Sequence, residues 1–259
     1  MIDLQRVKKS FKEFINNYNY QDPGFNLKVV HTMHVVENAK SIAEHMQLSD
    51  EDIALAQLIA YLHDIGRFEE LKTIKGFDSV RNDHALYASK ILFDDNLIRK
   101  FILDDLYDNI IKKAIENHNK LNIESGLNER ELLHAKIIRD ADKLDNFRVK
   151  RDESIEELFL GKVSKIEEFN DSLISDNVYN SVLKRECVDI HDRVYPLDYW
   201  ICILAFVFDL NFKETFDVIK DNNYVDVLID KFKYTNKVTS ERMEKIRSII
   251  NEYVREKTN

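Results

Sequence analysis

Apolar residues return every three to four positions along almost the whole chain, and no sustained two-residue alternation competes with them. Val29, Met33, Val36 and Ala43 form one such stripe, and Leu133, Ile137, Ala141 and Leu144 form another. The pattern predicts helices over residues 3–17, 83–94, 96–103, 107–119, 129–150, 152–160, 163–184, 196–208, 212–220, 223–234 and 239–257. Two more carry the first stripe and the run "LIAYLHDI". Ser49, followed by Asp50, Glu51 and Asp52, starts the latter: a hydroxyl accepts from the free N–H groups, and acidic side chains face the positive end of the helix dipole. Gly66 stands where a helix ending after "LIAYLHDI" takes its C-terminal glycine, which puts His63 and Asp64 in the last turn. Glu69 and Glu70 are expected to solvate the turn beyond it. Loops are expected near Pro23–Gly24, Gly76–Phe77, Asn122–Gly126 and in the segment ending at Pro196.

Composition reinforces this all-α reading. Five Gly and two Pro in 259 residues are too few for the turns of a sheet protein. The same shortage removes the glycine-rich phosphate cradles: neither GxxxxGK[ST] nor GxGxxG occurs, so a phosphate must be held by side chains or a metal. With 44% hydrophobic and 33% charged residues the chain is expected to fold throughout. No Ser/Gly/Pro-rich linker, low-complexity tract or repeat interrupts it, so residues 1–259 read as a single compact helical body.

A net charge of −9 is the wrong sign for tracking a nucleic-acid polymer, and a small substrate is expected instead. Cys187 and Cys202 lie far apart without a CxxC, as reduced thiols would. The opening "MIDLQRVKKSFKEF" has charges throughout and no apolar core of signal-peptide length, and "YWICILAFVF" from Tyr199 is shorter than the ~20 residues of a membrane span. A cytoplasmic protein with no membrane partner is the expectation. The amphipathic stripe of Met243, Ile246, Ile249, Ile250 and Tyr253 suits packing or subunit contact, a homodimer included.

The candidate chemistry falls mainly within residues 25–150, where seven of the eight histidines lie. Adjacent helical residues point about 100° apart, so His63 and Asp64 cannot both enter one core pocket as inert packing, but a metal beside the helix end could be reached by both. Imidazole and carboxylate suit zinc, manganese or iron, and there is no cysteine cluster for softer ions. His31 shares a helix face with His34, Val35, Asn38 and Ile42. In "KIIRDADKLDNF", Asp140, Asp142 and Asp145 interrupt an apolar stripe; Asp140 and Asp142 point about 200° apart, and periodicity leaves open which is a ligand. Glu131 and His134 make a lone ExxH, short of the paired motifs of a di-iron bundle. His45, His134 and His191 read as structural residues.

The order "HT", then "HDIG", then "ADKL" resembles the HD superfamily of metal-dependent phosphohydrolases, whose signature is H, HD and D on a helical bundle. The resemblance covers residues 25–150 and leaves 151–259 as additional C-terminal helices. It implies that His31, His63, Asp64 and Asp142 hold a first metal, Asp142 because it occupies the A-D-x-L position. It also implies that His84, in "RNDHALYASKIL", and His118, in "AIENHNK", serve a second metal or the substrate phosphate. No GYP motif follows the later histidines, which disfavours a cyclic-dinucleotide phosphodiesterase. Arg67 and Phe68 stand where alarmone hydrolases carry an acidic pair.

Many relatives have lysine where Arg67 stands, and a guanidinium there can grip phosphate oxygens bidentately. Arg81, Lys143 and Arg148 are further candidates for the substrate, chosen by nearness in sequence to the implied ligands. His63, Asp64 and Arg67 are the implied catalytic residues. The expected activity is hydrolysis of a small phosphate ester, a nucleotide first, by water activated on one or two divalent ions: Mn, Fe, Zn, Ni, Co or Mg. An HD-type di-iron oxygenase and a non-catalytic nucleotide-sensing HD domain are the alternatives.

Overall fold

The computed structural model describes residues 2–19, 21–74, 83–158 and 165–259, and among these every regular element is a helix. Two compact units divide the chain, Met1–Asp145 and Asn146–Asn259. The division falls inside one continuous helix, so no linker marks it, which is why the sequence reads as one body with a core over 25–150 and an extension from 151. The first unit holds α1 (Leu4–Ile15), α2 (Pro23–His45), α3 (Asp50–Leu62), α4 (Ile65–Ile74), α5 (His84–Ser89), α6 (Ile98–Phe101), α7 (Asp108–Asn117) and most of α8 (Glu129–Asp152).

Every residue of α3 from Ala54 to Leu62 is buried, Gln57 included, so this is the central helix and needs no polar face. The Ser49 hydroxyl accepts from Asp52 N–H at 3.2 Å, the start expected of it. Pro23–Gly24 is not a loop. Asp22 caps α2 by accepting from the N–H groups of Gly24 and Phe25, and Pro23 takes the first helical position, where its missing N–H costs nothing. At its other end α2 stops with Gln47 in the left-handed region (φ 55°), and Leu48 N–H donates to Ala43 O at 3.1 Å. The buried face of α2 runs through His31, Val35, Ala39 and Ile42. Met33, two residues before Val35, lies about 160° round the helix and is 40% exposed, so it leaves the stripe assigned to it.

The segment after His63–Asp64 departs most from expectation. Gly66 does not end a helix: α3 stops at Leu62, and Gly66 lies in the first turn of α4. A Cβ there would strike the carbonyl oxygen of His84 and stand 2.9 Å from Ala88 N, so its bare Cα lets α4 and α5 touch backbone to backbone. Phe68 is wholly buried among Phe11, Phe14, Tyr18 and Phe25, with ring centroids 5.5–6.1 Å away. Glu70 does not solvate a turn either; it is buried and accepts from Arg67 Nη1 at 2.5 Å, while Glu69 accepts the Tyr18 hydroxyl.

On α8 the guanidinium of Arg139 is fully buried and donates to the carbonyls of Asn117 and Lys120 at 2.6 and 2.7 Å and of Leu121 at 3.3 Å. It thereby binds the chain leaving α7 to α8. Asn38 on α2 donates to Ala141 O at 3.1 Å, a tie between α2 and α8.

The second unit begins within α8 and continues as α9 (Ile155–Leu158), α10 (Ile166–Asn170), α11 (Asp176–Leu183), α12 (Pro196–Leu204), α13 (Lys213–Asp221), α14 (Tyr224–Ile229) and α15 (Lys237–Thr258). Trp200 packs edge-on to Phe232 at 4.9 Å and donates from Nε1 to Leu228 O at 3.0 Å. Met243, Ile246, Ile249 and Ile250 of α15 are buried in this unit, where α15 contacts α11, α13 and α14, so the stripe is internal packing. The buried Asp198 carboxylate accepts from the N–H groups of Ser175, Val194 and Tyr195 and from the Ser175 hydroxyl, all within 2.9 Å. Asp198→Ala would strand three backbone donors at once. It is expected to lower unfolding free energy by about 3 kcal/mol, read from urea denaturation. No helix among the described residues is long and apolar enough to cross a membrane.

Candidate metal centre

Four helix ends and two helix faces bring the candidate residues together in the first unit. His63 is the residue that closes α3, and Asp64 follows it in the turn to α4. His118 closes α7 in the same way, His84 opens α5, His31 faces inward from α2, and Asp142 projects from α8. Placement at helix ends explains the local hydrogen bonding. His63 Nδ1 lies 2.7 Å from Ala60 O, and His118 Nδ1 lies 2.7 Å from Ile115 O. A carbonyl accepts only, so both rings carry their proton on Nδ1 and turn an Nε2 lone pair inward. His31 Nδ1 is held at 2.6 Å by the buried carboxylate of Asp145, the carboxylate–histidine pairing that orients metal-binding imidazoles.

The inward atoms converge on the Asp64 carboxylate. Its Oδ2 lies 3.7 Å from His31 Nε2 and 3.6 Å from His63 Nε2. Asp142 Oδ1 closes that group at 3.1 Å from His31 Nε2 and 3.9 Å from His63 Nε2. The other oxygen, Oδ1, lies 3.5 Å from His84 Nε2 and 3.9 Å from His118 Nε2. Two donor sets thus share one carboxylate: His31, His63 and Asp142 on one side, His84 and His118 on the other, with Asp64 between.

These distances fit a divalent cation. Donors ~2.1 Å from one ion stand about 3–4 Å apart from each other, the range found here. The buried Nε2 atoms of His31 and His63 have no hydrogen-bond partner of good geometry, although Asp142 Oδ1 lies 3.1 Å from the former. Two orphaned imidazole nitrogens in one buried cluster are costly unless something binds them. His84 and His118 approach to 3.0 Å between Nε2 atoms, so one ring donates to the other. Since His118 carries its proton on Nδ1, His84 is the donor.

The charge states of all but His31 point the same way. Burial outweighs the upward pull of Asp64 and Asp142, holding His63 below the ordinary imidazole range and His118 down to about 4. Burial and then the Arg67 guanidinium hold His84 well below it. Burial pushes the Asp64 and Asp142 carboxyls up, but Lys28 and three imidazoles outweigh it at Asp64, and His31, His63 and His118 at Asp142, keeping both below the usual carboxylate range. For His31, burial and Lys28 act downward, and Asp142 and Asp145 prevail, lifting it above its ordinary value. Ionised carboxylates and neutral imidazoles are the ligand forms a metal requires, so the shifts of both aspartates, His63, His84 and His118 favour a metal and that of His31 opposes it.

The remaining candidates are scattered. Arg67 is buried and paired with Glu70, near enough for its charge to act on His84. Lys143 is buried on α8 beside Asp142. Arg148 belongs to the second unit, 3.6 Å from Asp152. Arg81 and the loop expected at Gly76–Phe77 lie outside the described residues. His34 and His45 are exposed, and His134 Nε2 lies 3.0 Å from Asp52, a structural contact tying α8 to the start of α3.

Two participants escaped the sequence reading. Asp145 was visible as a polar break one turn beyond Asp142, but without a role. Lys28, whose Nζ lies 2.6 Å from Asp64 Oδ2, sits one turn before His31 on the same face of α2, and that spacing was its only signal.

Residues 29–146 match the family model of the HD domain. No curated protein and no solved structure matches the chain.

Proposed function

With residues 29–146 an HD domain, the domain of a superfamily of metal-dependent phosphohydrolases, we propose that this protein hydrolyses a small phosphate ester, a nucleotide being the substrate class to try first. The observation that carries the reading is the Asp64 carboxylate, whose two oxygens face two separate groups of imidazole nitrogens. His31, His63, Asp64 and Asp142 would hold one divalent ion, and Asp64, His84 and His118 a second. Such ions supply Lewis acidity, which withdraws charge from a phosphoryl oxygen and makes water a competent nucleophile near neutral pH.

The chain's own residues do the positioning. Asp145 fixes the ring of His31, and the Ala60 and Ile115 carbonyls fix those of His63 and His118, so ligand directions are set before anything binds. Arg67, held by Glu70 on α4, is assigned contact with a phosphoryl oxygen, where a guanidinium offsets developing negative charge. Without a glycine-rich cradle, side chains must hold the phosphate.

Elemental analysis of purified protein beside a nucleotide and phosphomonoester panel tests this. The expected result is one to two divalent ions per chain and turnover that ceases on chelation and returns with Mn, Fe, Co, Ni, Zn or Mg. Undiminished turnover after complete metal removal would refute it. Paired donor sets around one carboxylate also fit a di-iron oxygenase. Two irons, a visible absorption band and oxygen uptake without phosphate release would select that reading instead. Tight nucleotide binding without turnover in any of these metals would select a sensing domain.

A further inference from the structure

We propose that Lys28 is a substrate-positioning residue that exchanges its ammonium between Asp64 and a phosphoryl oxygen. The inference rests on the phosphohydrolase reading and adds to it a residue that the signature does not include.

Three observations carry it. First, the Lys28 ammonium and the imidazoles of His31 and His63 all address the same oxygen, Asp64 Oδ2, at 2.6, 3.7 and 3.6 Å. A cation held by those imidazoles would bond that oxygen at ~2.1 Å and so come within about 5 Å of the ammonium. Two positive charges that close in a partly desolvated site compete for one carboxylate. Second, the lysine stem has four rotatable bonds and starts from α2, one turn before His31, so the ammonium can swing while the helix stays fixed.

Third, the cluster has an open edge, and Lys28 is on it. Side-chain exposure is 18% for Lys28 and for Asp142, against 9% or less for His31, His63, Asp64, His84 and His118. A phosphate entering beside Asp142 therefore meets Lys28. Arg67, assigned phosphoryl contact above, is held by Glu70 on α4, so Lys28 would be a further basic group at the phosphate.

The test uses Lys28→Met, which keeps the stem and removes the charge, with Lys28→Arg as the charged control and Lys28→Gln as a second uncharged variant should the first not fold. Calorimetry measures Mn(II) binding to the chelated protein, then inorganic phosphate binding to the Mn-loaded protein. Lys28→Met is expected to bind Mn(II) roughly tenfold more tightly, because its competitor for Asp64 is gone. It should bind phosphate roughly tenfold more weakly, and Lys28→Arg should restore most of that loss. A merely structural lysine would weaken both.

Manganese affinity unchanged or weaker in Lys28→Met, or phosphate affinity equal to that of the parent, overturns the proposal. Failure of the underlying reading shows separately: the parent protein itself, loaded with manganese, would then neither bind phosphate nor turn over any ester.

Discussion

Asp64→Ala protein should lose both cation sites in one substitution, with metal content and phosphate-ester turnover falling by roughly a hundredfold or more while helicity is kept. No other side chain in the cluster stands between the two imidazole groups: Oδ2 faces His31 and His63, and Oδ1 faces His84 and His118. Asp142→Ala removes an oxygen that faces only the first group. It should therefore leave a residual ion at Asp64, His84 and His118. Elemental analysis of the two variants, with circular dichroism to check folding, compares them directly. Equal metal content in Asp64→Ala and Asp142→Ala would mean that Asp64 is not shared.

Gly66→Ala is the second large effect, and its sign runs against helix propensity. Within a helix alanine is normally preferred to glycine by about 1 kcal/mol. Here the added methyl meets the backbone of His84 and Ala88, which cannot rotate away as a side chain would. Helix α5 must move, and overpacking of that kind costs about 3 kcal/mol or more. Because α5 opens with His84, the displacement reaches the second donor set first. A lower urea midpoint together with loss of the ion at Asp64, His84 and His118 is the expected pair of results. Stability equal to or above the parent would show that α4 and α5 can separate freely.

Gly66 also shows what could and could not be read from the sequence. A glycine after "HDI" looks like a helix stop, because helix ends are a local matter and glycine is common there. Its actual neighbour is a carbonyl eighteen positions later, and nothing local signals such a contact. His31, His63 and Asp64 could be picked out because imidazoles and carboxylates are conspicuous on apolar faces, whereas Asp142 and the roles of His84 and His118 came only from the resemblance to the HD superfamily, and the structure gathers those six.

Lys28 was hidden for the opposite reason: in a chain one-third charged, a lysine on a helix attracts no suspicion. Met33 was misplaced because period counting tolerates an error of half a turn when neighbouring valines are apolar on both sides. The all-helical class, by contrast, rests on a signal repeated along the chain. The division at Asp145–Asn146 had no sequence mark at all, since it falls inside α8.

His63 and His118 are the closing residues of their helices, which means that the negative ends of α3 and α7 both point at the cluster. Each end carries the equivalent of about half an electron charge, felt within the final turn. Arg139 blunts this at α7 by binding the carbonyl of its last residue, Asn117, and those of Lys120 and Leu121 beyond it. Added to two ionised aspartates, the backbone at these two ends favours a cation in the pocket.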